Sequence, residues 1–127
     1  MLTRAFVSFD YDHDLVIKVA LLAQSELSDS PFAIADWSIK EASPTWKSEA
    51  RSRIRRSDLV IVLCGRHTHT ATGVAEELKI AQEEGIPYFL LAGYSTGDVT
   101  KPRTAGPSDK LYKWTWDNLK NLVGGSR

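Results

Sequence analysis

Residues 58–64 read Asp58-Leu59-Val60-Ile61-Val62-Leu63-Cys64. Five consecutive large aliphatic residues leave no polar face, so this segment is expected to be a strand covered on both sides, as in a central parallel position. Upstream, Arg4-Ala5-Phe6-Val7-Ser8-Phe9 is apolar on both faces in the same way. Between them, Pro31 to Trp37 opens on proline, with Phe32 and Ile34 on one face and the lighter Ala33 and Ala35 on the other. That reads as an edge strand. Downstream, Ile86 to Leu91 is a fourth strand, and a short fifth near Leu111 to Trp114 is consistent with the pattern.

Helical segments alternate with these strands. Asp12 or Asp14 is placed to cap a first helix whose Leu15, Val19 and Leu22 form one apolar stripe. Ser43-Pro44 is placed to open a second, with Trp46, Ala50 and Ile54 as its stripe. Val74, Leu78 and Ala81 mark a third, ended by Gly85. Thr115 is placed to cap a fourth, with Trp116, Leu119 and Leu122 inward. Strict alternation with right-handed crossovers predicts a flavodoxin-like three-layer α/β domain: a parallel five-stranded sheet in the order 2-1-3-4-5, helices on both faces. In such sheets ligands bind beyond the carboxyl ends, where strand order reverses. The loops after Phe9 and Cys64 are therefore the first places to look. The stretch Ala92 to Lys110, rich in Gly, Pro, Ser and Thr, is long enough to be a functional or mobile loop.

The totals agree with one domain over residues 1–127. Hydrophobic residues are 43% and charged residues 25%, enough for a core without staples. Sixteen basic residues balance 16 acidic ones, so no nucleic-acid or membrane partner is expected. Cys64 is the single cysteine, which excludes an internal disulfide and suits a buried structural thiol in a reducing compartment. The start of the chain carries no signal-peptide pattern, and no run approaches the about 20 residues of a spanning helix. The expected location is cytoplasmic.

Several chemistries fit the crevice poorly. After strand 1 the loop is Asp10-Tyr11-Asp12-His13-Asp14, and three carboxylates oppose a flavodoxin-type phosphate cradle. After strand 3 stands Cys64-Gly65, where a receiver domain needs an aspartate. There is no GxGxxG and no P-loop. His67 and His69 lack a cysteine or acidic partner at ligand spacing, so no metal site is expected. On the third helix, at about 100° per residue, Glu77 falls about 60° from Val74, at the border of the buried stripe, and Glu76 about 160° away, toward water. Glu77 is thus either an ordinary acid near a helix N-terminus or a sheltered carboxylate beside a ligand.

The chain resembles the TIR-like domains of bacterial defence systems, in particular the Thoeris family. The resemblance rests on Arg4 to Tyr11, Ser30-Pro31-Phe32 through Asp36-Trp37-Ser38, Trp46 through Ile54-Arg55-Arg56-Ser57-Asp58, and Val60 to Gly65 followed by His67-Thr68. It covers roughly residues 4 to 92, with the tail Tyr112 to Leu119 also similar. It implies cleavage of the nicotinamide–ribose bond of NAD, which is substrate, with no cofactor. It further implies a cyclic ADP-ribose isomer as second messenger, a phage protein as trigger, self-association on activation, and a separate effector protein that receives the product. The family pattern W-V-x-x-E-(I/L) falls on Gly73-Val74-Ala75-Glu76-Glu77-Leu78 and makes Glu77 the catalytic residue. Glycine replaces the usual tryptophan, so Trp46 or another aromatic is left to cover the site.

The substrate-binding set expected around Glu77 is Ser8, Phe9 and Asp10 from strand 1, Asp36, Trp37 and Ser38 from strand 2, Trp46, and His67 with Thr68 after strand 3. Trp37 is placed to stack on adenine, and His67 and Thr68 to bond ribose or phosphate. Lys47, Arg51, Arg53, Arg55 and Arg56 make the second helix basic, either as a solvated face or as a surface steering an anion. A catalytically silent assembly module is the alternative to the enzyme. A nucleoside-processing enzyme on a similar sheet is a third.

Overall fold

The computed structural model describes residues 2–39 and 44–127. Five strands, β1 (Thr3–Ser8), β2 (Phe32–Trp37), β3 (Leu59–Cys64), β4 (Tyr88–Ala92) and β5 (Leu111–Lys113), form one sheet in the order β2-β1-β3-β4-β5. Every pairing is parallel. This is the flavodoxin-like arrangement the alternation of elements requires. β3 is buried at all six positions, whereas on β2 only Phe32 is fully buried.

The helices α1 (Leu15–Ser25), α2 (Trp46–Arg55), α3 (Thr72–Glu84) and α4 (Trp116–Val123) cover both faces. Ala5, Val7, Leu59, Ile61, Leu63, Phe89 and Leu91 pack with Ile17 and Leu21 of α1 and Leu119 and Leu122 of α4. Phe6, Val60, Val62, Cys64 and Leu90 pack with Ala50 and Ile54 of α2 and Val74, Leu78 and Ala81 of α3. Thr115 caps α4, its hydroxyl accepting from Asn118 N at 3.1 Å. Gly85 ends α3 in the left-handed region, φ 67°, where a glycine carries no Cβ penalty.

Three expectations change. The buried residues of α1 are Ile17 and Leu21, while Leu15 is 50% and Val19 55% exposed and Leu22 is half-buried. The helix is apolar almost all round, so periodicity offers two stripes, and docking on the sheet selects the second. Val19→Ser should accordingly change stability by less than about 0.5 kcal/mol in urea unfolding. The side chain of Asp14 does not cap α1 although Asp14 holds the N-cap position. Helix α2 begins at Trp46 after Thr45, with Pro44 in the preceding turn; Ser43 lies outside the described residues.

The basic residues of α2 are largely met by acids. Arg51 pairs with Glu83 and Glu84, Arg55 with Glu84, Arg53 with Asp36 at 3.2 Å, and Lys47 approaches Glu76 at 3.8 Å. Most of that charge therefore ties α2 to α3 and to β2 and is not presented to an anionic partner.

One irregularity positions the site. Between β1 and β2 the register jumps: Ala5 pairs with Ile34 but Phe6 with Asp36. The extra residue, Ala35, reverses the alternation of everything after it. Trp37 consequently joins the same core as Phe32 and Ile34. Asp36 and Ser38 turn to the other face, toward α2 and α3, where Asp36 meets Arg53 and Ser38 meets Glu77.

Candidate active site

Glu77 is the centre of the arrangement. It lies early in α3 and is 1% exposed, yet it contributes to the lining of a cleft of about 300 Å³. A carboxylate withdrawn from water must be compensated, and among the described residues three donors converge on it. Ser8 at the end of β1 donates its hydroxyl to Oε1 at 2.7 Å. Ser38, just beyond β2, donates to the same oxygen at 2.5 Å. The amide of Ile39 approaches Oε2 at 3.4 Å. Ser38 is itself held, its Oγ accepting from Phe9 N at 2.9 Å. Two good hydrogen bonds thus fix Oε1, and among the described residues one long contact reaches Oε2.

Burial pushes the Glu77 carboxyl up to about 7; the bonds from Ser38, Ser8 and Ile39 and the nearby Arg53 guanidinium oppose that rise. The group is therefore poised to be charged or neutral near neutral pH, as groups that do proton or charge chemistry are.

The remaining lining comes from two loops and a helix start. Phe9, Asp10, Tyr11 and Asp12 follow β1, Ser38 and Ile39 follow β2, and Thr70, Ala71, Thr72 and Gly73 lead into α3. The ring of Tyr11 packs on Phe9, centroids 4.3 Å apart. Burial, then the Glu77 charge, raises the Tyr11 phenol. Around Gly73 no atom of the described residues lies within 4 Å of where a β-carbon would stand, and Gly73 itself lines the cleft.

The expected residues therefore separate. Ser8, Phe9, Asp10 and Ser38 surround Glu77 or its cleft. Asp36 is engaged with Arg53 and with the amide of Trp37. Trp37 lies edge-on to Phe9 at 6.2 Å with Lys18 Nζ 4.3 Å over its ring, away from the cleft lining. Trp46 packs on the α2–α3 core, also outside the lining. Thr68 is fully buried and takes the amide of Gly65 on its hydroxyl at 2.7 Å, closing the turn after β3. His67 faces a different cavity. Tyr11 and the Ile39 amide were not singled out from the sequence. The position of Tyr11 two residues past Phe9 was the available signal; the amide had none.

The loop 93–110 does not fold over this cleft. It is fastened to the turn after β3, Thr100 N donating to Gly65 O at 3.0 Å and His69 N to Thr100 Oγ1 at 3.0 Å. It is fastened to α3 by Thr104, whose hydroxyl donates to Ala75 O at 2.7 Å. No group of three or more His, Cys, Asp or Glu placed to hold a metal occurs among the described residues. No helix among them is long and apolar enough to cross a membrane.

Comparison with known proteins sets this geometry in a family. Among solved structures, the glutaminase domain of Trypanosoma brucei CTPS with bound acivicin superimposes with a TM-score of 0.45 and 16% identity, over 72% of this chain and 36% of that one. No curated protein matches the chain. The family described as Thoeris protein ThsB, TIR-like domain, matches residues 6–93, which run from the second half of β1 through β4 and take in Glu77 and both serines that hold it. By that match, over well more than half its length, the chain belongs to the ThsB TIR-like domain family of Thoeris defence systems.

Proposed function

We propose that this domain cleaves the nicotinamide–ribose bond of NAD, with Glu77 as the catalytic carboxylate. The reading is supported above all by one observation: a buried carboxylate, pinned through one oxygen by Ser8 and Ser38, on the wall of an open cleft. As the C–N bond lengthens, its electron pair leaves with the pyridinium nitrogen, which becomes neutral nicotinamide and needs no acid. Positive charge builds on the ribose, as in glycoside hydrolysis. A carboxylate preorganised beside the ribose hydroxyls, in a water-poor setting, stabilises that charge. Tyr11, packed on Phe9, offers a ring at the cleft for the leaving nicotinamide. Capture of the cation by water yields linear ADP-ribose and a proton. Capture by a nitrogen or hydroxyl of the same molecule yields a cyclic isomer. In a defence setting the cyclic isomer would serve as a messenger to a separate effector, with a phage protein as trigger, self-association on activation, and the cytoplasm as the site of action. The chemistry asks for no cofactor.

The outer face of α1 favours a second reading, a silent assembly module. Leu15, Val16 and Val19 are at least half exposed there and give a binding surface for other subunits. Purified protein incubated with NAD, alone and with lysate of phage-infected cells, separates the two by mass spectrometry. Release of nicotinamide together with a cyclic ADP-ribose isomer is the expected outcome. Intact NAD in both arms would leave the assembly reading.

A further inference from the structure

Across the β1–α1 turn from the Glu77 cleft lies a second cavity of about 140 Å³, lined by His13, Asp14, Arg66, His67 and Tyr94. It stands beyond the carboxyl ends of β1 and β3, where the strand order reverses and α/β sheets receive their ligands. The two cavities share the turn itself. Asp10 lines the cleft, and its Oδ2 holds His13 Nδ1 at 2.7 Å. The His13 ring stacks on His67, centroids 3.9 Å apart.

The lining has two unmet demands. The first is for a hydrogen-bond donor. Asp14 is 1% exposed, and its carboxyl lies so close over Gly65 that a β-carbon there would overlap it. Tyr94 donates its hydroxyl to Oδ1 at 3.3 Å, but Oδ2 is the single buried side-chain oxygen or nitrogen without a partner among the described residues. Buried acceptors are almost always satisfied, so an orphan asks what satisfies it. The second demand is for an anion. Arg66 gives one N–H to Thr96 O at 3.1 Å and rests over the Tyr94 ring at 4.8 Å, and it has no carboxylate partner among the described residues. The two stacked imidazoles add ring nitrogens able to donate hydrogen bonds. The first turn of α1 has no side-chain cap, so its N–H groups add a positive helix end.

Inorganic phosphate meets the second demand, but it can supply a donor to Asp14 only by turning one of its own anionic hydroxyls onto the carboxylate. A metal ion or an amine meets only the first and confronts Arg66. A phosphate with a sugar hydroxyl beside it meets both. We propose that this cavity binds the 5′-phosphorylated ribose of the adenylate half of a dinucleotide, the phosphate on Arg66, His67 and His13 and a ribose hydroxyl donating to Asp14. The inference rests on the reading that the Glu77 cleft takes the nicotinamide half.

Binding can be read without turnover, by calorimetry on the Glu77→Gln protein. AMP should bind, and Arg66→Ala or His67→Ala should weaken it by about tenfold or more, the worth of a charge-assisted hydrogen bond. Nicotinamide riboside should bind these variants as it binds the parent. Removing the hydroxyl that Asp14 reads, tested with 2′-deoxy and 3′-deoxy AMP, should weaken one of the two by a similar factor. Unaltered circular dichroism in each variant shows that folding is not the cause, and Arg66→Lys should recover part of the affinity. No AMP binding, equal binding to Arg66→Ala and His67→Ala, or inorganic phosphate binding as tightly as AMP would overturn the assignment. If AMP binds as expected but NAD is never cleaved, the cleavage reading fails and this site stands.

Discussion

Glu77→Gln should abolish NAD cleavage and yield a protein more stable than the parent above pH 7. The loss follows from charge. Glutamine keeps the shape, and its carbonyl can still accept from Ser8 and Ser38, but it brings no negative charge to the forming ribosyl cation. A fall of at least about a hundredfold is expected, the scale of removing one preorganised electrostatic partner. The stability gain follows from linkage. In the unfolded chain the carboxyl titrates at its ordinary 4.5, and in the folded protein at about 7. Below pH 4.5 both forms are protonated and burial of the neutral acid carries no charge penalty. As pH rises from 4.5 to 7 the unfolded state gives up its proton first, so folding loses stability throughout that window. The gap corresponds to roughly 3 kcal/mol once pH exceeds 7. Glutamine does not titrate, so the variant should lack this decline, offset in part by the poor match of its amide group to the Ile39 N–H. Urea unfolding of both proteins at pH 5 and pH 8 checks the sign: the parent weakens between them by more than the variant does. Activity of the parent should run the opposite way, rising with pH through about 7 as the carboxylate forms. A parent whose stability is flat over this range would mean that Glu77 is not held in a dry site.

Much of this was legible in the chain. Six residues from Leu59 to Cys64 with no polar face dictate a central strand, and the lighter, proline-led β2 dictates an edge. Together they carry the strand order. The phase of Glu77 against Val74 and Leu78 placed it at the buried border, and the packing of α3 on the sheet encloses it fully. What was not legible depended on choices made in three dimensions. Helix α1, with Leu15, Val16, Ile17, Val19, Leu21 and Leu22, has no polar face to orient it. The bulge at Ala35 leaves no mark in a run of alternating small and large residues, yet it decides that Ser38 and not Trp37 faces α3. The loop after β1 carries three aspartates that look alike in sequence. In the fold, Asp10 binds His13 and the amide of Asp12, while Asp14 turns inward over Gly65.

Removing the hydroxyls that hold Glu77 should move its titration, and the direction tells what those serines do. In sequence Ser8 and Ser38 read as substrate contacts; in the fold both donate to Glu77 Oε1. Hydrogen bonds from neutral hydroxyls to a buried carboxylate favour its charged form, by about 1.5 to 3 kcal/mol each. Each such bond lost therefore raises the carboxyl by about one unit or more. For Ser8→Ala combined with Ser38→Ala the midpoint of the pH–rate profile should climb from about 7 toward roughly 9. At pH 7 the variant should then be slower by about ten- to a hundredfold, because little of its Glu77 is ionised, and much of the rate should return at high pH. Ser8→Ala alone is the cleaner test, since Ser38 also holds the amide of Phe9 and its loss loosens the strand end. If the serines instead bind substrate, their removal should raise KM at every pH and leave the midpoint where it was. A full pH series of kcat and KM separates the two, because a hydroxyl acting through Glu77 moves the profile sideways, whereas one acting on the substrate lowers it.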